Sequence, residues 1–372
     1  MIRHSSAPAT TFITPRTLLD GERAQLQRLA ARQASSAAVI DAHWMASWLA
    51  AFTVPGALLL CARDDGALAG AAALQRFDER WHGVDIQVVQ SLTNIESYRY
   101  EFLDGGRPDV ARRLWCALCR DGGADVIRLD HVPERSATLQ TGMEAAREHG
   151  WRVTMERTFL TPVRALSAVE WDRGLSAKFK SNLRNRERRL DRLGAVAFTV
   201  ASGEQDVRAA FEMFCRLEAS GWKGERGTSI GQQADVRRLY DGIVARAGDV
   251  HIPCLTVSGV PIAAQLVRVC PPVMFLLKTA YDEAFAPYAP GQLLTARVVQ
   301  YAAEHGIEVF DFLADNAPWK ADWATGFLPH WRMLLFAPTV AGRYGFWARY
   351  GVREHVKRIP GARRVVRWLR RY

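Results

Sequence analysis

The residues whose types and spacing most clearly suggest a reactive or binding site lie in the stretch 277–323. An apolar, β-branched and aromatic run up to Tyr281 predicts a strand, and a loop with Pro287, Pro290 and Gly291 follows it. Apolar residues at helical spacing come next, so the loop leads into a helix. Backbone N–H groups at such a helix start are unpaired and suit a pyrophosphate, although an ordinary Pro/Gly helix start has the same pattern. We predict that six loop residues bind this anion: Tyr288, Ala289, Pro290, Gly291, Gln292 and Leu293.

Lys278 and Asp282 lie four residues apart along the same predicted strand, so their side chains should project to the same side. A lysine in an apolar strand is costly unless it is paired or used. One interpretation is a Lys278–Asp282 salt bridge. The other makes Asp282 a general base that takes a proton from an incoming amine or hydroxyl. Lys278 would then bind an anionic substrate group or a developing oxyanion.

Further polar residues suggest a substrate-binding surface. Gln265 lies in an apolar strand, where it either positions a substrate or satisfies the backbone. Trp222 and Lys223 lie between two glycines and predict a flexible loop that closes over substrate. Glu218 and His251 are weaker candidates. The chain has no nucleophile elbow, no Walker loop and no paired metal-ligand spacing, so a covalent serine or cysteine mechanism and a metal site are disfavoured.

An ordered set of motifs between residues 174 and 326 resembles the CelD-like acetyltransferases, a branch of the GNAT superfamily related to the FemAB transferases. The motifs are K-F-K-S-N-L-R-N-R-E-R-R-L (178–190), G-W-K-G-E-R-G-T-S-I (221–230), P-I-A-A-Q-L (261–266), K-T-A-Y-D (278–282), P-G-Q-L-L (290–294) and D-F with P-W-K (311–320). The usual glycine pattern of the GNAT pyrophosphate loop is absent, and Trp319 stands where such families carry Tyr.

The resemblance implies acetyl-CoA or another acyl-CoA as donor, with the pyrophosphate on the loop 288–293, and no metal. It also implies that Lys320 lies near the donor carbonyl, with a solvated surface lysine as the alternative. We expect six residues to contact the substrate: Trp222, Lys223, Gln265, Tyr281, Trp319 and Lys320.

The chain of 372 residues is 49% hydrophobic, which is enough for two domains with cores of their own. Two stretches share one plan. Each has a strand hairpin (58–75 and 254–269), then a helix (107–120 and 291–305), a turn and a short strand. We therefore predict an α/β fold of tandem GNAT-like domains, each a mixed central sheet flanked by helices. The predicted units are 1–165, degenerate for donor binding, 166–338, the acyltransferase domain, and a basic aromatic tail, 339–372.

The six cysteines lie mostly in apolar runs, and the C-x-x-C of Cys116 and Cys119 falls inside a helical pattern, so core packing is favoured over a metal or redox site. No secretory signal opens the sequence. The uncharged run 44–62 is cut by Pro55 and Gly56, which predicts a helix, a turn and a strand rather than a membrane span. These features indicate a reduced, cytoplasmic location.

The net charge of +10 is concentrated in two segments. Residues 176–193 hold seven basic and two acidic residues and predict a helix capped by Ser176. Such a helix is either solvated or binds tRNA. Residues 343–372 hold ten Lys or Arg and one acid, with rings at Trp347, Tyr350 and Trp368. This tail is either a solvated terminus or binds the anionic inner face of the membrane.

The resemblance, together with the two basic segments, implies three possible functions. The first is acyl-CoA-dependent N- or O-acyl transfer by direct attack on the thioester, with an amino sugar, polysaccharide precursor or related cell-envelope metabolite as acceptor. The second is FemAB-like transfer from an aminoacyl-tRNA. The third is a non-catalytic, membrane-associated accessory role.

Overall fold

The computed structural model describes residues 9–13, 15–33, 41–52, 54–246, 248–314 and 316–351. The first half of the chain contains six strands and four helices. Its strands are β1 Ala9–Ile13, β2 Ala57–Asp64, β3 Ala67–Trp81, β4 Val84–Ser91, β5 Val126–Pro133 and β6 Arg152–Ala165. Its helices are α1 Pro15–Arg32, α2 Ala42–Ala51, α3 Pro108–Asp121 and α4 Ala137–Glu148.

The second half repeats this order of strands and places more helices between them. Its strands are β7 Val196–Ala201, β8 Val250–Val257, β9 Val260–Cys270, β10 Val273–Tyr281, β11 Val309–Asp311 and β12 Gly326–Phe336. Its helices are α5 Ala177–Asp191, α6 Glu204–Ala219, α7 Trp222–Glu225, α8 Ala234–Arg246, α9 Pro290–Glu304, α10 Pro318–Ala321 and α11 Val340–Phe346. Helical turns lie at Ile230–Gln232, Glu283–Tyr288 and Trp347–Gly351.

The two predicted hairpins are present, and their turns have the same backbone shape. Asp65 and Gly66 join β2 to β3 with φ values of 48° and 81°, and Ser258 and Gly259 join β8 to β9 with 49° and 82°. Two successive residues with positive φ match the right-handed twist of the flanking strands. The Ser176 hydroxyl accepts a hydrogen bond from the Phe179 N–H, as a helix cap should.

All twelve strands form one sheet in the order β1–β2–β3–β4–β5–β12–β6–β11–β10–β9–β8–β7. The last strand of each half is exchanged: β12 pairs with β5 and β6, and β6 pairs with β11 and β12. Only β4 with β5 and β10 with β11 are parallel. The predicted α/β plan of two similar units is therefore confirmed. The proposed boundary at residue 165 coincides with the end of β6, a strand that the sheet places beside the second half, and the division there stays a prediction.

The hydrophobic core has separate parts in each half and a shared part between them. The shared cluster packs α2 of the first half against α8 of the second, with Trp44 edge-on to Tyr240 at 6.5 Å between ring centroids. Phe275 on β10 belongs to the same cluster. Cys116 and Cys119 pack at the edge of the first-half core, and all six cysteines are free thiols.

The first part of the basic tail packs on the sheet. Phe346 and Tyr350 lie edge-on to Phe336 of β12, and the Tyr350 hydroxyl donates to Glu156 of β6 at 2.9 Å. Tyr350 is therefore committed to packing, which corrects its expected place among the membrane-facing rings, whereas Trp347 is 55% exposed. Residues 352–372 lie outside the described part of the chain. Among the described helices, none is long and apolar enough to cross a membrane.

Candidate active site

A cavity opens in the second half where β10 and β11 separate. The two strands pair only from Val273 to Phe275, opposite Val309 to Asp311. β10 then continues along β9 with a bulge after Leu276, while the chain turns away from it through Leu313 and Ala314, both left-handed with φ of 46° and 52°. Among the described strands, none pairs with the backbone edge of β10 beyond Phe275 on this side. The space between has a volume of about 540 Å³.

The first turn of α9 closes one end of this cavity. Ala289 is left-handed (φ 49°, ψ 57°), and Pro290 takes the first helical position, where its missing N–H costs nothing. The N–H groups of Gln292 and Leu293 both bond to the Ala289 carbonyl. Within the described residues, the N–H of Gly291 has no acceptor, so this N–H and the positive end of the helix dipole face the cavity.

Gln265 supports this turn from beneath and does not line the cavity. Its side-chain amide donates to the Thr295 hydroxyl at 2.9 Å, and that hydroxyl donates to the Gly291 carbonyl at 2.8 Å. Trp323 adds a second support, because its indole N–H donates to the Gln292 side chain at 2.6 Å. The partner of Gln265 is thus a side-chain hydroxyl and not the backbone, and its role in positioning a substrate stays a prediction.

A segment of the first half, residues 92–104, reaches the cavity and is called the crossing segment below. Its Glu96 pairs with Lys278 at 2.9 Å, and both side chains are largely buried (7% and 16% exposed). Tyr98 lines the cavity close to Lys278. Burial opposes the charged form of Lys278, but the attraction of nearby acidic groups, of which the Glu96 carboxylate is charged at neutral pH, outweighs burial and raises the lysine pKa. Burial raises the pKa of Tyr98, so Lys278 is a cation and Tyr98 a neutral phenol at neutral pH.

Lys223 forms the matching pair on the other side of the cavity. Its ammonium donates to Glu218 at 2.6 Å and to the Thr279 carbonyl at 3.3 Å. Glu218 is buried and also accepts the Ile230 N–H at 2.8 Å. Trp222 beside it is 45% exposed at the rim of the cavity. Two of the three lysines that line the cavity, Lys223 and Lys278, are therefore held in place by buried carboxylates.

Lys320 and Trp319 form the wall opposite β10. The Lys320 ammonium donates to the carbonyls of Phe312 and Leu313 at 3.0 and 2.8 Å, where the chain turns away from β10. The Trp319 ring lies edge-on to Phe312. Lys320 is therefore tied to the cavity wall, and its alternative as a solvated surface lysine is wrong.

Most of the predicted site residues meet in this cavity. Those that line it are Trp222, Lys223, Lys278, Tyr281, Ala289, Pro290, Gly291, Gln292, Trp319 and Lys320. Gln265, Asp282, Tyr288 and Leu293 do not line it. Leu293 lies on the side of α9 that is buried in the core. Tyr288 packs near Phe285, and the Arg189 guanidinium lies over the Tyr288 ring.

Asp282 requires a correction. Lys278 pairs with Glu96, not with Asp282, so the expected Lys278–Asp282 salt bridge is wrong. β10 ends at Tyr281, and the Asp282 carboxylate caps the following turn by accepting the Ala284 N–H at 2.9 Å. Its role as a base stays a prediction.

Sequence reasoning missed Glu96 and Tyr98 altogether and ranked Glu218 low. Both crossing-segment residues lie in a first-half stretch with no strand or helix periodicity, which carries no local signal of a site. Glu218 could have been paired with Lys223 from their spacing of five residues around a helix end. The contacts of Glu96 and Tyr98 depend on how the two halves dock.

Residues 177–321, from α5 to α10, match the sequence model of the acetyltransferase (GNAT) domain. No curated protein matches the chain. Three solved structures share the fold over nearly its full length. FemX is 13% identical, covers 91% of this chain and 98% of its own, and has a TM-score of 0.56.

The C-terminal domain of a proposed lysylphosphatidylglycerol synthetase from Agrobacterium fabrum is 13% identical, with 89% and 96% coverage and a TM-score of 0.53. A protein of unknown function from Bacteroides thetaiotaomicron is 11% identical, with 88% and 100% coverage and a TM-score of 0.51. At these identities the likeness establishes the fold alone. The matched domain supplies every residue found to line the cavity except Tyr98. The chain thus contains an acetyltransferase (GNAT) domain and is an enzyme of the acyltransferase class.

Proposed function

We propose that this protein transfers an acyl group from acyl-CoA to an amine or hydroxyl by direct attack on the thioester. The observation that carries the proposal is the cavity between β10 and β11, which is lined mainly by residues of the matched domain and ends at the first turn of α9. The described residues that line it include no Cys, Ser or His, which favours direct transfer over a covalent acyl-enzyme.

The donor would lie along the separated strands. Its pyrophosphate fits the start of α9, where the Gly291 N–H and the helix dipole are available to an anion. The pantetheine arm carries two amides, and the unpaired edge of β10 beyond Phe275 offers backbone groups to such a chain, as a sheet edge does to an added strand. The thioester would then lie near Lys278 and Tyr98.

In the proposed step the acceptor lone pair attacks the thioester carbonyl, the new N–C or O–C bond forms and the C–S bond breaks. Lys278, held as a cation by its neighbours, stabilises the developing oxyanion. Tyr98 is a protonated phenol that can give its proton to the leaving thiolate and regain one from solvent. Among the described residues no carboxylate lines the cavity, and in the proposed step the proton of the acceptor passes to water.

For the acceptor, we propose an amino sugar, a polysaccharide precursor or a related cell-envelope metabolite. The support is the CelD-like motif order, together with a cavity large enough for a small molecule beside the donor arm. Attachment of a cytoplasmic enzyme to the inner membrane face through residues 343–372 is part of the same proposal. It is supported by their charge and by the exposed Trp347.

A FemAB-like transfer from aminoacyl-tRNA is the second candidate, because α5 presents basic side chains next to residues 288–293, called the donor loop below. Incubating the full-length protein with acetyl-CoA, longer acyl-CoAs or charged tRNA separates the two, with thermal shift for binding and thiol release for transfer. We expect stabilisation by acyl-CoA and thiol release on adding amino sugars. Stabilisation by charged tRNA alone would favour the second candidate. If no donor binds, the accessory role remains.

A further inference from the structure

The two flanks of α5 differ in how their charges are balanced. The flank away from the donor loop carries two ion pairs, Lys180 with Asp172 at 2.8 Å and Glu187 with Arg297 of α9 at 2.5 Å. The other flank holds Lys178, Asn182, Arg186 and Arg189, spaced four, four and three residues apart and so aligned on one side of the helix. Within the part of the chain that the structure describes, its three basic residues make no ion pair.

This unpaired flank lies against the donor loop. The Arg189 guanidinium is 5.1 Å from the centre of the Tyr288 ring, two residues before the start of α9. At the other end of α5, Phe179 lies edge-on to Trp323, whose indole holds Gln292 in the first turn of α9. The helix thus passes the end of the cavity where the pyrophosphate is proposed to bind, and Arg189 is the cation of this flank that contacts the loop there.

We propose that the flank formed by Lys178, Arg186 and Arg189 binds the third phosphate of coenzyme A, on the ribose 3′ position. This inference rests on the proposed function, since it names a second contact for the same donor. Three basic side chains with no acidic partner match a phosphate dianion that lies beyond the pyrophosphate. Nucleic acid is the less favoured occupant, because the only aromatic residue of α5, Phe179, packs inward and offers no stacking surface.

The test is calorimetric titration of the full-length protein with CoA and with 3′-dephospho-CoA at low salt. We expect CoA to bind about tenfold more tightly, as two or three exposed charge contacts allow, with the difference shrinking as salt rises. Arg186→Gln should reduce this ratio to about twofold and leave dephospho-CoA binding unchanged. Arg189→Gln should also reduce it, but can lower both affinities by releasing Tyr288. Arg184→Gln, on the paired flank, should keep the full ratio.

Each outcome has a distinct meaning. Equal affinity for the two ligands overturns the inference and leaves the proposed function standing. Failure of both ligands to bind contradicts the proposed function itself. If uncharged tRNA displaces CoA from the parent protein and loses this effect in Arg186→Gln, the flank serves nucleic acid and the inference is overturned.

Discussion

The two halves build the same crevice, and only one of them leaves it open. In the first half, β4 and β5 pair from Val88 to Gln90 and then separate, as β10 and β11 do. The gap is filled by the crossing segment: Leu103 exchanges two hydrogen bonds of 2.8 Å with Ala71 of β3, and the Tyr100 N–H donates to His131 at 3.1 Å. In the second half the corresponding gap holds a cavity of about 540 Å³.

The two halves therefore share one arrangement of strands, but one crevice is filled and the other is open. The crossing segment closes the first crevice with its buried Tyr100 and Phe102, and it extends Glu96 and Tyr98 into the second. The first half therefore contributes to the cavity of the second half, because its Glu96 pairs with Lys278 and its Tyr98 lines the cavity. We expect donor binding only in the second half.

The largest expected effect comes from Glu96→Gln, which tests the part of the crossing segment that serves the second half. It leaves the Lys278 ammonium, only 16% exposed, without its carboxylate. We expect a loss of about 3 kcal/mol in the free energy of unfolding, measured by urea titration. Glu148→Gln, which breaks the exposed pair with Arg112, should cost less than about 0.5 kcal/mol. Equal losses in the two variants would show that the buried pair is unimportant.

Gly291→Val tests the open crevice directly. A Cβ at Gly291 meets no atom nearer than 3.7 Å, so the variant should fold, while its methyl groups obstruct ligand approach to the N–H. We expect CoA affinity to fall about a hundredfold by calorimetry. The control is Asp109→Val, at the second position of α3 in the filled half, which should bind CoA like the parent. Unchanged affinity in a folded Gly291→Val would remove this turn from the site.

A variant of His330 tests the contact between the crossing segment and β12, one of the two exchanged strands. Its ring accepts from Arg99, which also pairs with Asp311 at 2.6 Å. Burial, with the Arg99 charge, lowers the His330 pKa to about 3. Between about pH 6.5 and 3 the unfolded chain binds this proton and the folded chain does not, so stability falls with falling pH by about 1.4 kcal/mol per unit. Urea titrations of His330→Gln between pH 7 and 5 should lack this slope; a parent-like slope would assign it to other groups.

Asp282→Asn should have the smallest effect. An asparagine oxygen can still cap the Ala284 N–H, and the carboxylate does not line the cavity. We expect turnover within about twofold of the parent once an acceptor is identified. A loss of two orders of magnitude or more, with a changed pH–rate profile, would restore Asp282 as the general base.

The features that sequence predicted well are local ones. Neighbouring residues alone determine such features, and their types predict them. Examples are the turns at Asp65 and Ser258, the cap at Ser176 and the helix start at Pro290. The partner of Lys278 could not be found in this way, because Glu96 lies 182 positions away. Asp282 was preferred because it is close in sequence, whereas the docking of the two halves decides which carboxylate Lys278 meets.

The exchange of β6 and β12 has a consequence for how this chain is made. The first half leaves the ribosome early, yet the strand that shields one edge of β5 is β12, residues 326–336. Until that strand emerges, β5 keeps an exposed hydrogen-bonding edge that invites pairing with other chains. We expect nascent chains stalled before residue 326 to aggregate or recruit chaperones, and chains stalled well beyond residue 336 to become protease-resistant in one step. Two separate chains, divided at the predicted boundary at residue 165, should therefore each form an incomplete sheet. We expect them to form the complete sheet when they are co-expressed.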